Sequence, residues 1–322
     1  MRQSLRALLD EVLDYAGLFP PDKLPLDEAI RNYARYRASP EAWMLGRFIC
    51  PAARLGELAP YCEPLFTPQR PVRLSVTGSE DPLQPEVLID LRAMHHFALG
   101  HHSQAAVEAF EVRLSPETLR QWRTEAVAEA LNVLATRLVE HHFADLEVFV
   151  EPIFGDDWDG MVQRIIAALK LHDETRGVPA PARIGIKLRT GGVEAAAFPT
   201  VSQVASVIVA CRDASLPLKF TAGLHHPLRH FEAGLGADMH GFLNIFVAGV
   251  LAHARGIDQP TLEAVLQERA PTAFEFTDHY VRWRNLEVTG DEIEAARGEF
   301  VLSFGSCSFD EPQEGLRRAG CL

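Results

Sequence analysis

Residues 183–192 read RIGIKLRTGG, residues 201–214 read VSQVASVIVACRDA and residues 217–223 read PLKFTAG. The first and third segments contain short β-rich runs, and the segment between them has the apolar spacing of a helix. A strand, a helix and a second strand in this order predict two parallel strands joined by a crossover helix.

The same alternation continues along the chain in both directions. Intervals with helical periodicity separate most of the β-rich runs, which lie at residues 43–50, 73–77, 110–114, 146–151, 183–189, 218–221, 241–243 and 300–304. About eight such units in a chain of 322 residues favour an α/β fold closed into a (β/α)8 TIM-like barrel. A doubly wound open sheet is the alternative, although no GxGxxG follows the first run, which argues against its dinucleotide-binding form.

Two segments lie outside the regular repeat, and we expect a single barrel domain over residues 1–322 that carries both. Residues 1–40 are expected to form a helical cap, because one helical stripe runs from Leu5 to Ala16 and a second helix passes through Ile30 and Tyr33. Residues 273–289 alternate at period two, which predicts a β-hairpin inserted before the last helix and strand.

Composition limits the classes of partner. The formal net charge of −13 argues against nucleic acid or an anionic membrane as the main partner, because phosphate binding normally needs a basic surface. The five cysteines are far apart and form no CxxC pair, so neither a disulfide framework nor a structural zinc site is indicated. We see no apolar stretch approaching a membrane span and no signal peptide, and we expect a cytoplasmic protein that can self-associate.

Charged residues alternate with apolar ones on four consecutive predicted strands. Period two places Glu111 with Arg113, and Glu147 with Glu151, on the face opposite the apolar side chains. The next two strands place Lys187 with Arg189, and Lys219 with Thr221, in the same way. In a barrel this face points inward toward the catalytic end. Either the charges form an internal salt-bridge layer or they build a ligand site.

Three loops add polar candidates at the same end. TAGLHHPLRH, residues 221–230, brings His225 and His226 as acid/base or metal-binding groups. Asn244 is expected at a strand tip, as a helix cap or a substrate hydrogen-bond group. The small residues Ser306, Cys307 and Ser308 follow the last strand, where barrels often bind anions on backbone N–H groups.

Three segments carry a resemblance to a known family. DYAGLFPP at residues 14–21, TAGLHHP at 221–227 and FGSCSFDEP at 304–312 resemble a family of uncharacterised bacterial proteins, and that resemblance implies no activity. KFTAG at residues 219–223 is similar to the lysine strand of class I, Schiff-base aldolases. This likeness implies that Lys219 is the reactive amine and that Lys187 lowers its pKa.

The combined pattern predicts a barrel enzyme that acts on a small anionic metabolite, a carboxylate or keto acid, by lyase or aldolase-type chemistry without a cofactor. Lys219 and Lys187 supply amines, Glu151 with His225 or His226 carries protons, and Arg113 and Arg189 bind the carboxylate. Thr221, Asn244, Ser306, Cys307 and Ser308 are further substrate contacts.

Two alternatives stay open. In the first, Glu151, His225 and His226, with His240, bind a divalent metal for hydrolysis or isomerisation. In the second, the chain binds an anionic ligand without turnover. If residues 14–21 close the catalytic end, Asp14, Tyr15 and Phe19 also reach the pocket.

Overall fold

The computed structural model describes residues 1–78, 84–121, 123–176 and 184–322. Within these ranges eight parallel strands close into a barrel, in the spatial order β1-β13-β7-β6-β5-β4-β3-β2. The (β/α)8 TIM-like prediction is therefore confirmed. The barrel strands are β1 (Leu13–Tyr15), β2 (Leu45–Pro51), β3 (Val72–Thr77), β4 (Ala105–Leu114), β5 (Glu147–Pro152), β6 (Ile184–Arg189), β7 (Leu218–Thr221) and β13 (Val301–Ser306).

Helices follow the strands and cover the outside of the barrel. The crossover helix between β6 and β7 begins with a capping box, in which Thr200 and Gln203 each bond the other's backbone N–H, and it buries Val204 and Ile208. The helices are α1 (Gln3–Leu9), α2 (Leu26–Tyr36), α3 (Leu55–Leu65), α4 (Val87–His101), α5 (Pro116–Gln121), α6 (Thr124–Glu140), α7 (Trp158–Thr175), α8 (Val201–Asp213), α9 (Phe242–Arg255), α10 (Gln259–Gln267), α11 (Gly290–Glu299) and α12 (Asp310–Arg318).

The first barrel strand lies inside the segment that the sequence predicted as one helix. Helix α1 ends at Leu9, and Glu11 takes a left-handed φ of 47°, which a helix does not continue through. Strand β1 then pairs with β13, with Asp14 opposite Gly305, and with β2 on its other side. A strand of three buried residues carries too little alternation to be separated from a helical stripe. Residues 1–40 are therefore not a cap alone, because they close the barrel.

The predicted strand at residues 241–243 is wrong. Gly241 is the N-cap of α9, and every residue from Phe242 to Ala252 is buried. A helix buried all round shows no amphipathic period, so its start resembles a short apolar strand. Between β7 and α9 the chain instead forms an antiparallel hairpin, β8 (His230–Glu232) and β9 (Ala237–Met239).

The insertion near the C-terminus has one strand more than predicted. β10 (Phe274–Phe276), β11 (Tyr280–Trp283) and β12 (Leu286–Thr289) form an antiparallel sheet, with Phe276 opposite Val281 and Val281 opposite Val288. Helix α1 packs on this sheet, and the backbone N–H of Ser4 donates to the carbonyl of Thr277 at 3.1 Å. Residue 183, the first residue of the strand predicted at 183–189, lies outside the described ranges.

One segment of the described chain is apolar and long enough to cross a membrane by length and composition, contrary to the sequence-based expectation. It covers Ala195–Asp213 and has a mean hydropathy of 1.3. Its helical part is α8, which packs against α7 and α10 on the outside of the barrel. A core helix of a soluble protein passes the same test, so this single segment is weak evidence for a membrane span.

Candidate active site

A chain of alternating charges runs along the inside of the barrel. Lys219 Nζ contacts Asp14 Oδ2 and lies 2.7 Å from Glu111 Oε1. Lys187 Nζ lies 2.6 Å from Glu111 Oε2 and 2.8 Å from Glu151 Oε2. Glu111 therefore joins the two lysines, whose residues are direct neighbours in the register of β6 and β7. We call Asp14, Lys219, Glu111, Lys187 and Glu151 the axial ion-pair chain.

The axial ion-pair chain is buried, and opposite charges offset the effect of burial on pKa at four of its members. Burial by itself would raise the pKa of Glu111, but the ammonium groups of Lys187 and Lys219 hold it far below its usual value. The pKa values of Asp14 and Glu151 are lowered against the same burial by their own cationic neighbours, chiefly Lys219 and Lys187. Burial would lower the pKa of Lys187, but Glu111 and Glu151 raise it. Lys187 is therefore an ammonium group that lies between two carboxylates.

Lys219 lies beneath the pocket rather than in it. Its side chain has no solvent exposure, and its Nζ also lies 3.4 Å from Ser75 Oγ. Its partner Asp14 accepts hydrogen bonds from Ser303 Oγ at 2.9 Å and from the backbone N–H of Arg47 at 2.6 Å. Lys219 therefore forms ion pairs in the barrel interior, whereas Lys187 lines the cavity.

The cavity lies at the C-terminal ends of the barrel strands and has a volume of about 470 Å³. We call it the upper pocket. It brings together eight of the residues predicted from sequence: Arg113, Glu151, Lys187, Arg189, Thr221, His225, Ser306 and Cys307. Four other predicted residues, Lys219, His226, Asn244 and Ser308, do not line it.

Two arginines form the outer part of the upper pocket. Arg189 Nε lies 3.3 Å from Glu151 Oε1, and Arg113 Nε lies 4.0 Å from the same oxygen. Their side chains are 44% and 55% exposed, whereas that of Glu151 is 4% exposed. Both guanidinium groups share one carboxylate oxygen, so each keeps N–H donors that a ligand can engage.

The loop after β1 closes one side of the upper pocket. Ala16, Phe19, Pro20 and Pro21 line it, and Pro20–Pro21 is a cis peptide. Residues 16–21 therefore lie at the C-terminal ends of the strands, a placement that the sequence left open, whereas Asp14 does not line the upper pocket. Tyr15 points away from the cavity, with its ring packed against those of Tyr36 and Phe48.

The small residues after β13 divide into different environments. Ser306 lines the pocket, and its buried Oγ has no hydrogen-bond partner among the described residues. Burial raises the pKa of the Cys307 thiol to about 12, so it is not a thiolate near neutral pH. Ser308 Oγ accepts from the backbone N–H of Glu311 at 3.2 Å, at the start of α12.

Asn244 has a structural position that neither predicted role describes. It lies in the first turn of α9, fully buried. Its Nδ2 donates to the carbonyls of Val265 and Glu268, and its Oδ1 accepts from the backbone N–H of Arg229. These bonds connect α9 to the C-terminal end of α10 and to the residue before β8, so Asn244 is neither the helix N-cap nor a pocket residue.

The histidines do not assemble the alternative metal set. His225 Nδ1 lies 2.8 Å from Glu311 Oε2, and Glu151 is engaged by Lys187. His240 is buried, with its Nδ1 3.3 Å from Arg229 Nη1 and its Nε2 2.8 Å from the carbonyl oxygen of Pro199. Burial lowers its pKa to about 4. Over the part of the chain that the structure describes, no metal-type cluster combines Glu151 with His225 or His240.

The sequence missed two contributors to the site, Ser75 and Ser303, which contact Lys219 and Asp14. Asp14 was only a conditional candidate, because it fell within a predicted helix. A serine within an apolar strand is too common to mark a site by itself. A single Asp between Leu13 and Tyr15 was the one available signal, and the shortness of β1 hid it.

No known protein-family model matches the chain, and no curated protein matches it. Among solved structures, a lysine/ornithine decarboxylase from Vibrio vulnificus, determined with cadaverine, is similar at 18% sequence identity and a TM-score of 0.34. The alignment covers 68% of this chain and 49% of that chain, so it spans about half the length of the decarboxylase. So distant a match carries no argument about chemistry, and the resemblances of residues 14–21, 219–227 and 304–312 stay predictions.

Proposed function

We propose that the chain is a barrel enzyme whose upper pocket binds a small carboxylate or 2-oxo acid and catalyses lyase-type chemistry. The observation that carries the proposal is the charge of the site. Four cations, Lys187, Lys219, Arg113 and Arg189, face three carboxylates, Asp14, Glu111 and Glu151, which leaves a net positive charge of one. On a chain of net charge −13, this excess favours an anionic ligand at the pocket.

The exposed ends of Arg113 and Arg189 are the proposed carboxylate contacts, because a guanidinium binds a carboxylate through two parallel hydrogen bonds. Ser306 is a further contact, since its hydroxyl is unpaired within the described chain and lines the pocket. These groups place the ligand over Lys187 and Glu151.

Lys187 acts in this proposal as an ammonium group rather than as a nucleophile. In a 4-hydroxy-2-oxo acid, loss of the hydroxyl proton breaks the C3–C4 bond, C4 leaves as an aldehyde or ketone, and the bonding electrons pass through C3 to the oxygen on C2. A charged donor at that oxygen stabilises the resulting enolate, which then takes up a proton at C3. Glu151 is the proton carrier, with its second oxygen held by Arg189. A Schiff base at Lys187 would first require transfer of its proton to Glu111 or Glu151, and Lys219 lies out of reach of the pocket.

One observation favours the competing function, a binding protein without turnover. Each lysine of the site is already paired with two carboxylates, and such pairing can serve binding alone. Measurable cleavage of any substrate would exclude this alternative.

The binding part is tested by calorimetry with pyruvate and a 4-hydroxy-2-oxo acid against their amides. We expect the acids to bind and the amides to bind at least about tenfold more weakly, and Arg189→Ala to lose about 10–100-fold in affinity. Arg282→Ala, which removes a half-exposed arginine from the three-stranded sheet, is the matched control and should bind normally. Equal binding of acids and amides would contradict the proposal.

The variant Ser306→Ala distinguishes a ligand-binding role of this serine from a role in packing. Because its Oγ has no internal partner in the described chain, Ser306→Ala should change the free energy of unfolding by less than about 0.5 kcal/mol. We expect the same variant to weaken acid binding.

The role of Lys187 is tested by turnover. Cleavage of the 4-hydroxy-2-oxo acid, monitored by proton NMR, should disappear in Lys187→Met. Turnover that survives in this variant would remove Lys187 from the mechanism.

A further inference from the structure

Three side chains outside the upper pocket converge on the hairpin that follows β7. His226 lies on the loop after β7, and His230 and Glu232 lie two residues apart on β8. One ligand atom from each residue, a ring nitrogen or a carboxylate oxygen, lies within 4.8 Å of the other two. The two imidazole rings are 4.4 Å apart and nearly perpendicular. Neither His226 nor His230 nor Glu232 lines the upper pocket.

The environment of His230 leaves one ring nitrogen available as a ligand. Its Nδ1 lies 3.1 Å from the carbonyl oxygen of Leu228, which can only accept, so Nδ1 carries the proton in the neutral ring. Its Nε2 then presents a lone pair. This atom is shielded from solvent and has no hydrogen-bond partner within the described ranges. A backbone carbonyl that fixes the tautomer in this way is typical of histidines that bind metals.

Glu232 is oriented toward the same point. Its Oε1 accepts a hydrogen bond from the backbone N–H of Gly234 at 3.1 Å. Its Oε2 lies 4.0 Å from His230 Nε2, too far for a hydrogen bond and suitable for two ligands of one ion. A metal ion about 2.0–2.2 Å from each ligand atom needs these atoms to lie no more than about 4.4 Å apart, so small side-chain rotations that shorten the separations would complete the site.

We propose that His226, His230 and Glu232 bind one divalent transition-metal ion, with Zn²⁺ as the best fit. Two imidazoles and one carboxylate suit first-row transition metals, whereas Ca²⁺ and Mg²⁺ prefer sites built of oxygen ligands. Three protein ligands leave at least one coordination position open. The ion would join β8 to the loop that carries His225 into the upper pocket. This site does not depend on the proposed lyase chemistry.

The test is titration of the whole, chelator-treated protein with Zn²⁺ and, separately, with Co²⁺. We expect one Zn²⁺ per chain by calorimetry and visible absorption bands from bound Co²⁺ that Zn²⁺ displaces. His226→Ala and His230→Ala should each weaken binding by more than the 10–100-fold typical of a lost outer partner. Glu232→Gln should also weaken it. Millimolar Mg²⁺ should not compete.

His253→Ala is the matched control. His253 Nε2 also lies 4.0 Å from a carboxylate oxygen, that of Glu299, but no second histidine among the residues that the structure describes completes a cluster there. This variant should bind one Zn²⁺ as tightly as the unaltered chain. The proposal fails if no stoichiometric Zn²⁺ binds, or if His253→Ala weakens binding as much as His230→Ala does. Circular dichroism of each variant shows that a loss of binding is not a loss of folding.

Discussion

Glu111 is the residue on which the interior charges of the barrel depend. One of its oxygens lies 2.7 Å from Lys219 and the other 2.6 Å from Lys187, and its side chain is 2% exposed. A buried ion pair adds little net stability, because desolvation offsets the attraction, but removing one partner leaves an unpaired buried charge. Any single substitution that removes a charge from the axial ion-pair chain should therefore lower the free energy of unfolding more than the loss of an exposed ion pair does.

Lys219→Met tests this statement. Among the described residues, the change leaves Asp14 without an ion-pair partner, and we expect the free energy of unfolding to fall by about 3–5 kcal/mol in urea denaturation. Lys170→Met is the control, because Lys170 is exposed on α7, and its effect should stay within about 0.5 kcal/mol. A loss below about 1 kcal/mol at Lys219 would contradict the dependence on pairing.

At the scale of elements, two loops determine the shape of the pocket. The loops after β6 and β7 touch at Gly191 and Gly223, where a Cβ on Gly191 would lie 2.9 Å from the Cα of Gly223 and 2.6 Å from the ring of Phe198. Gly223 has a φ of +76°, which other residues rarely adopt. Residues 189–192, which read RTGG, therefore bring two loops into close contact and also present Arg189 to the upper pocket.

Gly191→Ala should separate the two loops. Overpacking of this kind costs about 1–3 kcal/mol, and the displaced Arg189 should bind the acid ligand more weakly. Gly100→Ala is the matched control, because Gly100 lies in α4 with open space at its Cβ and should leave stability equal or raised by about 0.5–1 kcal/mol. Unchanged stability and affinity in Gly191→Ala would show that the contact does not constrain the pocket.

At the scale of the whole molecule, the axial ion-pair chain connects the two ends of the barrel. Asp14 also lines a second cavity of about 660 Å³ at the N-terminal ends of the strands, whereas Glu151 lines the upper pocket. The interior is thus charged from one end to the other, and folding must bury these charges as a set. The free energy of unfolding should therefore depend on pH through the charges of the whole axial ion-pair chain.

The sign follows from the direction of each pKa shift. Asp14, Glu111 and Glu151 have lowered pKa values, so their stabilisation is present above the unfolded values near 3.8 and 4.5 and is lost as pH falls through the folded ones. Lys187 has a raised pKa, so its share is present below about 10.5 and is lost as pH rises through the folded value. The stability difference between the unaltered chain and Glu111→Gln, from urea midpoints, should be constant from about pH 6 to 9 and shrink below about pH 4. A difference that stays constant down to pH 3 would contradict this.

Seven of the eight barrel strands follow from the sequence, because runs of alternating residues between helical segments have no other common interpretation. The exceptions are instructive. Residues 241–243 begin a helix buried on all sides, and Leu13–Tyr15 is a strand too short to alternate. Period two also placed Glu111, Glu151, Lys187 and Lys219 on the inner face correctly.

The sequence by itself therefore determined the alternation of parallel strands and helices, which favours a barrel, and the inward side of each charged strand, since both depend on local periodicity. Only the tertiary structure decided which lysine reaches the pocket, that β1 brings Asp14 to Lys219 across 205 residues of sequence, and that His226, His230 and Glu232 converge. Depth along a barrel axis and contact between distant segments depend on register and closure, and no local pattern of residues records either.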